Sequence, residues 1–141
     1  MRTILMALLL AVTSSSTWAA DVLSADAARK AALAGELTIV DIRTPQEWAQ
    51  TGVPDVAHAM DMTRKGFAQR LIELYEAHPD RPMAIICASG ARSTYVVTAL
   101  EQRGLTRLVN IREGMSGGQH GKGWIANSLP TRRADQPLVT E

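Results

Sequence analysis

The chain is short of several things that would each point to a function. Its 141 residues contain one cysteine, Cys87, so no internal disulfide can form. Three histidines, His58, His78 and His120, stand at no metal-ligand spacing, and no metal is expected. Charge of one sign is missing, with 15 Lys and Arg against 14 Asp and Glu, so bulk binding to nucleic acid or to a membrane surface is not expected. There is no internal repeat and no low-complexity linker. Gly117-Gly118 has no strand-linked dinucleotide fingerprint around it and reads as a turn. No cofactor is implied.

The unbroken apolar run at residues 4–12 is too short to cross a bilayer. Arg2 precedes it, and Ser14, Ser15, Ser16 and the small-x-small pattern Thr17-Trp18-Ala19 follow. This is the pattern of a secretory leader, cleaved after Ala19 or Ala20. Residues 1–20 are therefore set aside, 21–130 form one domain, and 131–141 form a polar tail expected to fray. Removing Arg2 leaves 14 basic against 14 acidic residues. The expected location is the periplasm or the exterior, without membrane attachment after cleavage. A lone cysteine in such a compartment is a free reactive thiol or an intermolecular partner.

What is there alternates. Ser24 is suited to cap an alanine-rich helix running to about Ala34. Residues 37–41 read as a strand, and Thr44-Pro45 opens a short helix carrying Glu47 and Trp48. Residues 57–60 suit a short strand. Phe67, Leu71, Leu74 and Tyr75 share one helical face, stopped by Pro79 and Pro82. Residues 83–87 read as a buried strand, Val96, Val97 and Leu100 as a helix face ended by Gly104, and residues 108–111 as another strand. Alternating strands and helices imply an α/β domain with a mainly parallel sheet. In such sheets ligands bind beyond the carboxyl ends of the strands.

Cys87 stands at such an end. Ala88-Ser89-Gly90-Ala91-Arg92-Ser93 follows it and opens a helix. Backbone N–H groups at a helix start attract anions, and the same field favours thiolate over thiol. The loop is thus an anion-binding cradle with a nucleophile in it.

The run from Cys87 to Ser93 resembles the active-site loop of the rhodanese domain. Val40-Asp41-Ile42-Arg43-Thr44-Pro45-Gln46-Glu47-Trp48 resembles that family's first signature. Asn110-Ile111-Arg112-Glu113-Gly114-Met115-Ser116-Gly117-Gly118, with Trp124 and Leu129-Pro130 beyond, resembles its closing one. The resemblance implies a single rhodanese-like domain, with a five-stranded mainly parallel sheet and helices on both faces. Two departures stand out. The family's Gly-His-Ile-Pro-Gly-Ala segment appears as Thr51-Gly52-Val53-Pro54-Asp55-Val56-Ala57, without its histidine and second glycine, and the closing segment is stretched by Gln119-His120-Gly121-Lys122-Gly123. The six-residue loop from Cys87 to Arg92 has the length seen in sulfurtransferases, whereas related phosphatases carry one residue more.

The resemblance implies a sulfurtransferase of the thiosulfate type, with Cys87 as the catalytic residue carrying a persulfide. A small anionic sulfur donor and a cyanide or thiol acceptor, a protein thiol included, would be its partners. Arg92 and the loop residues Ala88, Ser89, Gly90, Ala91 and Ser93 would bind the donor. Asp41 and Arg43 are expected as a structural ion pair near the loop, with Glu47 a candidate third member, and Trp124 as a core residue. Two other readings stay open: a persulfide carrier or thiol-redox module serving a protein partner, and phosphatase-type chemistry, which the short loop disfavours.

Overall fold

In the computed structural model, residues 22–139 are described. The leader expected at residues 1–20 lies outside them. Four strands, β1 (Thr38–Asp41), β3 (Ala57–Ala59), β4 (Met83–Ile86) and β5 (Leu108–Ile111), form a parallel sheet in the order β3-β1-β4-β5. Every residue of β1, β4 and β5 is buried, as near-continuous apolar strands covered on both faces should be.

The alternation of side chains sorts these strands onto two cores. Ile39, Ala84, Ile86, Val109 and Ile111 face helix α1 (Ala25–Leu33), whose Ala25, Ala28 and Ala31 let it lie close to the sheet. Val40, Ile85, Met83 and Leu108 face the other way. They meet Leu71 of α3 (Phe67–Ala77) and Val96, Val97 and Leu100 of α4 (Ala91–Glu101). Each fully buried Ile, Leu or Val here contributes about 1.5–3 kcal/mol from water exclusion. Helices thus cover both faces, as expected.

The fifth strand is a correction. Among the described residues, the sheet gains a single parallel bridge on the far side of β5, Val22 to Asn110, with the Leu23 amide donating to the Asn110 carbonyl at 3.2 Å. Two residues after the bridge, Ser24 caps α1 by accepting from the Ala27 amide. After the bridge the chain turns directly into the helix.

The start of the tail also departs from expectation. Thr131 and Arg132 form β6, antiparallel to β2 (Val53–Pro54). Arg132 donates to the carbonyls of Ala57 at 2.6 Å and Gln136 at 2.6 Å, and the Val139 amide reaches the Asp55 carbonyl at 3.0 Å. These bonds hold a polar segment that would otherwise fray.

Two short helices complete the fold. Helix α2 (Pro45–Thr51) sits beyond the carboxyl end of β1, and α5 (Gly123–Ala126) carries the fully buried Trp124, whose indole donates to the Pro130 carbonyl at 2.9 Å. Trp124 is a core residue, as read from the sequence.

Candidate active site

Cys87 follows the last residue of β4 and is 1% exposed. Its Sγ lies under the first turn of α4. The Gly90 amide donates to it at 3.2 Å and the Ser93 amide at 3.4 Å. Helix α4 has no side-chain N-cap. A Ser or Asp oxygen ordinarily satisfies these first amides; here the cysteine sulfur takes that place. The thiol in turn donates to Ser93 Oγ at 3.5 Å, and that hydroxyl donates to the Gly90 carbonyl at 3.1 Å. Negative charge on sulfur is therefore met by two amide dipoles and the positive end of a three-turn helix.

The backbone around the loop explains its glycine. Gly90 has φ +95°, a left-handed conformation that glycine adopts without strain. A Cβ there would lie 2.1 Å from the Arg112 carbonyl oxygen, so only glycine lets the closing segment pack against the loop. The match is reciprocal. A Cβ on Gly114 would lie 2.3 Å from the Ala88 carbonyl oxygen, and the Met115 and Ser116 amides donate to the Cys87 and Ala88 carbonyls at 2.9 and 2.8 Å. The closing segment is the wall that holds the cysteine loop in shape.

Of the other loop residues read from the sequence, Ala88 is half-buried, while Ser89 and Ala91 are exposed on the loop's outer side. Among the described residues, the backbone amides that reach the sulfur are those of Gly90 and Ser93, and the hydroxyl beside it is that of Ser93. Arg92 stands at the rim. Both of its terminal nitrogens donate to the carboxylate of Glu47, at 2.8 and 2.5 Å.

Glu47 was a candidate third member of the Asp41–Arg43 pair, and this is a correction. Arg43 Nε and Nη2 donate to the Asp41 carboxylate, at 3.0 and 2.7 Å. Its remaining reach goes to Thr51 Oγ1 at 2.8 Å and the Gly52 carbonyl at 2.7 Å. All three guanidinium nitrogens are engaged without Glu47. Meanwhile Thr44 and Glu47 form a reciprocal capping box at the start of α2, with the Thr44 amide donating to Glu47 Oε2 at 3.0 Å. The box holds Glu47 facing Arg92. That pairing, with the help of Thr44, holds the Glu47 carboxyl well below its ordinary 4.5, at about 2, against the opposing effect of burial.

Asp41 and Arg43 are buried beside the loop rather than in it. The Ile42 amide donates to the Ile86 carbonyl, which fixes the end of β1 against the residue preceding Cys87.

Two site-shaping residues were not found from the sequence. Thr94 Oγ1 donates to the Gly90 carbonyl at 2.7 Å and accepts from Asn110 Nδ2 at 2.7 Å. Glu113, 6% exposed, accepts from the Gly123 amide at 2.8 Å and from the Ala25 amide. It anchors the glycine-rich stretch of residues 119–123 to the first turn of α1. A carboxylate followed by glycine reads as a surface turn, so the sequence carried no signal for this. In the same stretch, His120 Nε2 accepts from Arg112 at 3.1 Å.

This geometry can be set beside known proteins. The family model described as the rhodanese-like domain matches residues 24–120. The chain belongs to the rhodanese-like family. The matched residues hold β1 to β5, the cysteine loop and the closing segment that packs on it. A sulfurtransferase of Allochromatium vinosum is 35% identical to this rhodanese-like chain over 95 residues, covering 67% of it and 78% of the relative. An uncharacterized protein of Rickettsia prowazekii is 29% identical over 98 residues, covering 65% and 80%. Among solved structures, the polysulfide-sulfur transferase homodimer of Wolinella succinogenes is 26% identical with a TM-score of 0.61, covering 79% of this chain and 77% of that one. A Staphylococcus saprophyticus protein is 31% identical with a TM-score of 0.54, covering 67% and 89%. Family and relatives together support sulfur-transfer chemistry.

Proposed function

We propose that this rhodanese-like domain is a sulfurtransferase that moves sulfane sulfur through a persulfide on Cys87. The observation that carries the reading is the sulfur's position as the cap of α4, receiving the Gly90 and Ser93 amides. An electron pair on the Cys87 thiolate attacks the outer sulfur of thiosulfate or a related donor. The new S–S bond forms as the donor's own S–S bond breaks, and sulfite leaves with that electron pair. Cyanide or a thiol then attacks the outer sulfur of the persulfide, and the Cys87 thiolate is released. Covalent catalysis of this kind divides one difficult transfer into two easier ones. The two amides stabilise charge on the sulfur in both steps.

In this reading Cys87 is the catalytic residue. The loop Ala88-Ser89-Gly90-Ala91-Arg92-Ser93 forms the cradle, with the Gly90 and Ser93 amides facing the sulfur, and Asp41 and Arg43 support it. The leader-like pattern of residues 1–20 supports a site in the periplasm or the exterior.

The test is intact mass of the reduced protein after excess thiosulfate, followed by cyanide. The expected result is a gain of one sulfur, discharged by cyanide with release of thiocyanate. Cys87→Ser should show neither. Thiocyanate production retained by Cys87→Ser would overturn the mechanism, and a sulfur that cyanide does not remove would favour a persulfide carrier for a protein partner.

A further inference from the structure

The rim of the cradle holds a charge pair that the transfer chemistry does not require. Arg92 is the cation of the loop, and both of its terminal nitrogens are engaged by Glu47. The capping box with Thr44 keeps Glu47 from swinging away. Asp41, a further carboxylate acting on Arg92, is already matched by Arg43. Arg112, a second cation on the segment packed against the loop, is turned to His120. On the loop itself, what remains for an incoming anion is the positive end of α4, equivalent to roughly half an elementary charge, while Arg112 keeps its charge at the exposed surface beside His120. That suits one negative charge. A dianion meeting a thiolate in the same cradle has too little positive charge to offset the repulsion.

We propose that the Glu47–Arg92 pair makes this site select sulfane donors carrying a single negative charge over dianionic ones, with Glu47 as the specificity-determining residue. The proposal rests on the persulfide reading of Cys87. It assigns the preferred donor to the class of organic thiosulfonates and persulfides, ahead of thiosulfate. With a thiosulfonate, the thiolate takes the terminal sulfur and a sulfinate leaves with the electron pair of the broken S–S bond. One negative charge rests on the persulfide and one on the sulfinate, matching the two that entered.

Methanethiosulfonate and thiosulfate form a suitable pair of probes. A methyl group replaces one charged oxygen, and the transferable sulfur is the same. The rate of sulfur gain on Cys87, followed by intact mass, gives a ratio between the two donors. Dividing by the ratio they show with a free small thiol removes their intrinsic reactivity. The wild-type ratio should favour methanethiosulfonate. In Glu47→Gln, which keeps the acceptor for the Thr44 amide but loses the charge, the ratio should shift toward thiosulfate by roughly tenfold, the effect of one unit charge on another across a partly solvated rim. Added salt should reduce that shift. Glu47→Asp keeps the charge and should keep the wild-type ratio, whatever it does to both rates together.

A wild-type preference for thiosulfate, or a ratio unmoved in Glu47→Gln, would overturn the proposal and leave the persulfide reading standing. If neither donor loads Cys87, the persulfide reading falls and this inference with it.

Discussion

The protein uses one kind of interaction twice within a few residues, and the two copies differ in kind. Asp41–Arg43 and Glu47–Arg92 are both carboxylate–guanidinium pairs with an arginine terminal nitrogen close to a carboxylate oxygen, at 2.7 and 2.5 Å. The side chains of the first pair are 0% and 2% exposed; those of the second are 28% and 34% exposed. Burial decides what each can do. Two charges taken out of water must satisfy each other and find partners for the remaining donors, and Arg43 adds Thr51 and the Gly52 carbonyl to Asp41. The rim pair keeps its water, gains little stability, and changes instead the field that a ligand meets. The same chemistry is structural in one place and electrostatic in the other.

The sharpest way to break this comparison is to remove one arginine at a time. Arg43→Ala leaves Asp41 buried and uncompensated, which should cost about 3–5 kcal/mol of stability. Arg92→Ala should cost under about 1 kcal/mol, because its partner stays hydrated. Urea unfolding of the two variants side by side gives the answer. Equal losses would mean that burial does not separate the pairs.

A smaller effect tests how Glu47 is held. Thr44→Ala removes the hydroxyl of the capping box, which accepts from the Glu47 amide at 3.4 Å and donates to Glu47 Oε2 at 3.1 Å. Loss of such a cap costs about 1 kcal/mol. The thermal midpoint should fall accordingly. A Thr44→Ser variant, which restores the hydroxyl, should recover most of the loss, and failure to do so would assign the effect to packing of the methyl group.

How much of this could be read from residues alone follows the range over which each contact acts. The strands and long helices were legible, because apolar runs such as Met83-Ala84-Ile85-Ile86 and stripes such as Val96, Val97 and Leu100 carry their burial in their own spacing. The cysteine loop was legible for the same local reason, and so was the small-residue face of α1. The β2–β6 pair was not. Its two-residue strands are too short for any period, and they lie far apart along the chain. The fifth strand was expected from resemblance, while among the described residues one bridge, Val22 to Asn110, precedes the Ser24 cap. The partner of Glu47 could not be read either. Its chain neighbour Arg43 is the nearer cation in sequence, but Arg92, 45 residues away, is the one the capping box makes it face. Short-range chemistry is written in the chain; which of two charges a carboxylate meets is decided by the sheet order.

The smallest expected effect is a pH dependence, and its sign follows from the rim pair. The Glu47 carboxyl is held at about 2, against its ordinary 4.5, by Arg92 first and by the Thr44 amide and hydroxyl, with burial acting the other way. A carboxyl whose folded pKa lies below its unfolded one binds protons more readily in the unfolded chain. The stability it contributes is complete above the unfolded value and is lost as pH falls through the folded one. For Glu47 that window runs from 4.5 down to about 2. The difference in thermal midpoint between the wild type and Glu47→Gln should therefore be flat above about pH 5 and shrink as the pH is lowered through this window. Its amplitude should be modest, since solvent screens a pair this exposed. A difference that began to shrink near neutral pH would mean that Arg92 does not hold the Glu47 carboxylate, and the two pairs would then differ in more than burial. A difference constant down to the acid end would mean that Glu47 contributes through the shape of its side chain rather than its charge, which would remove the electrostatic half of the comparison.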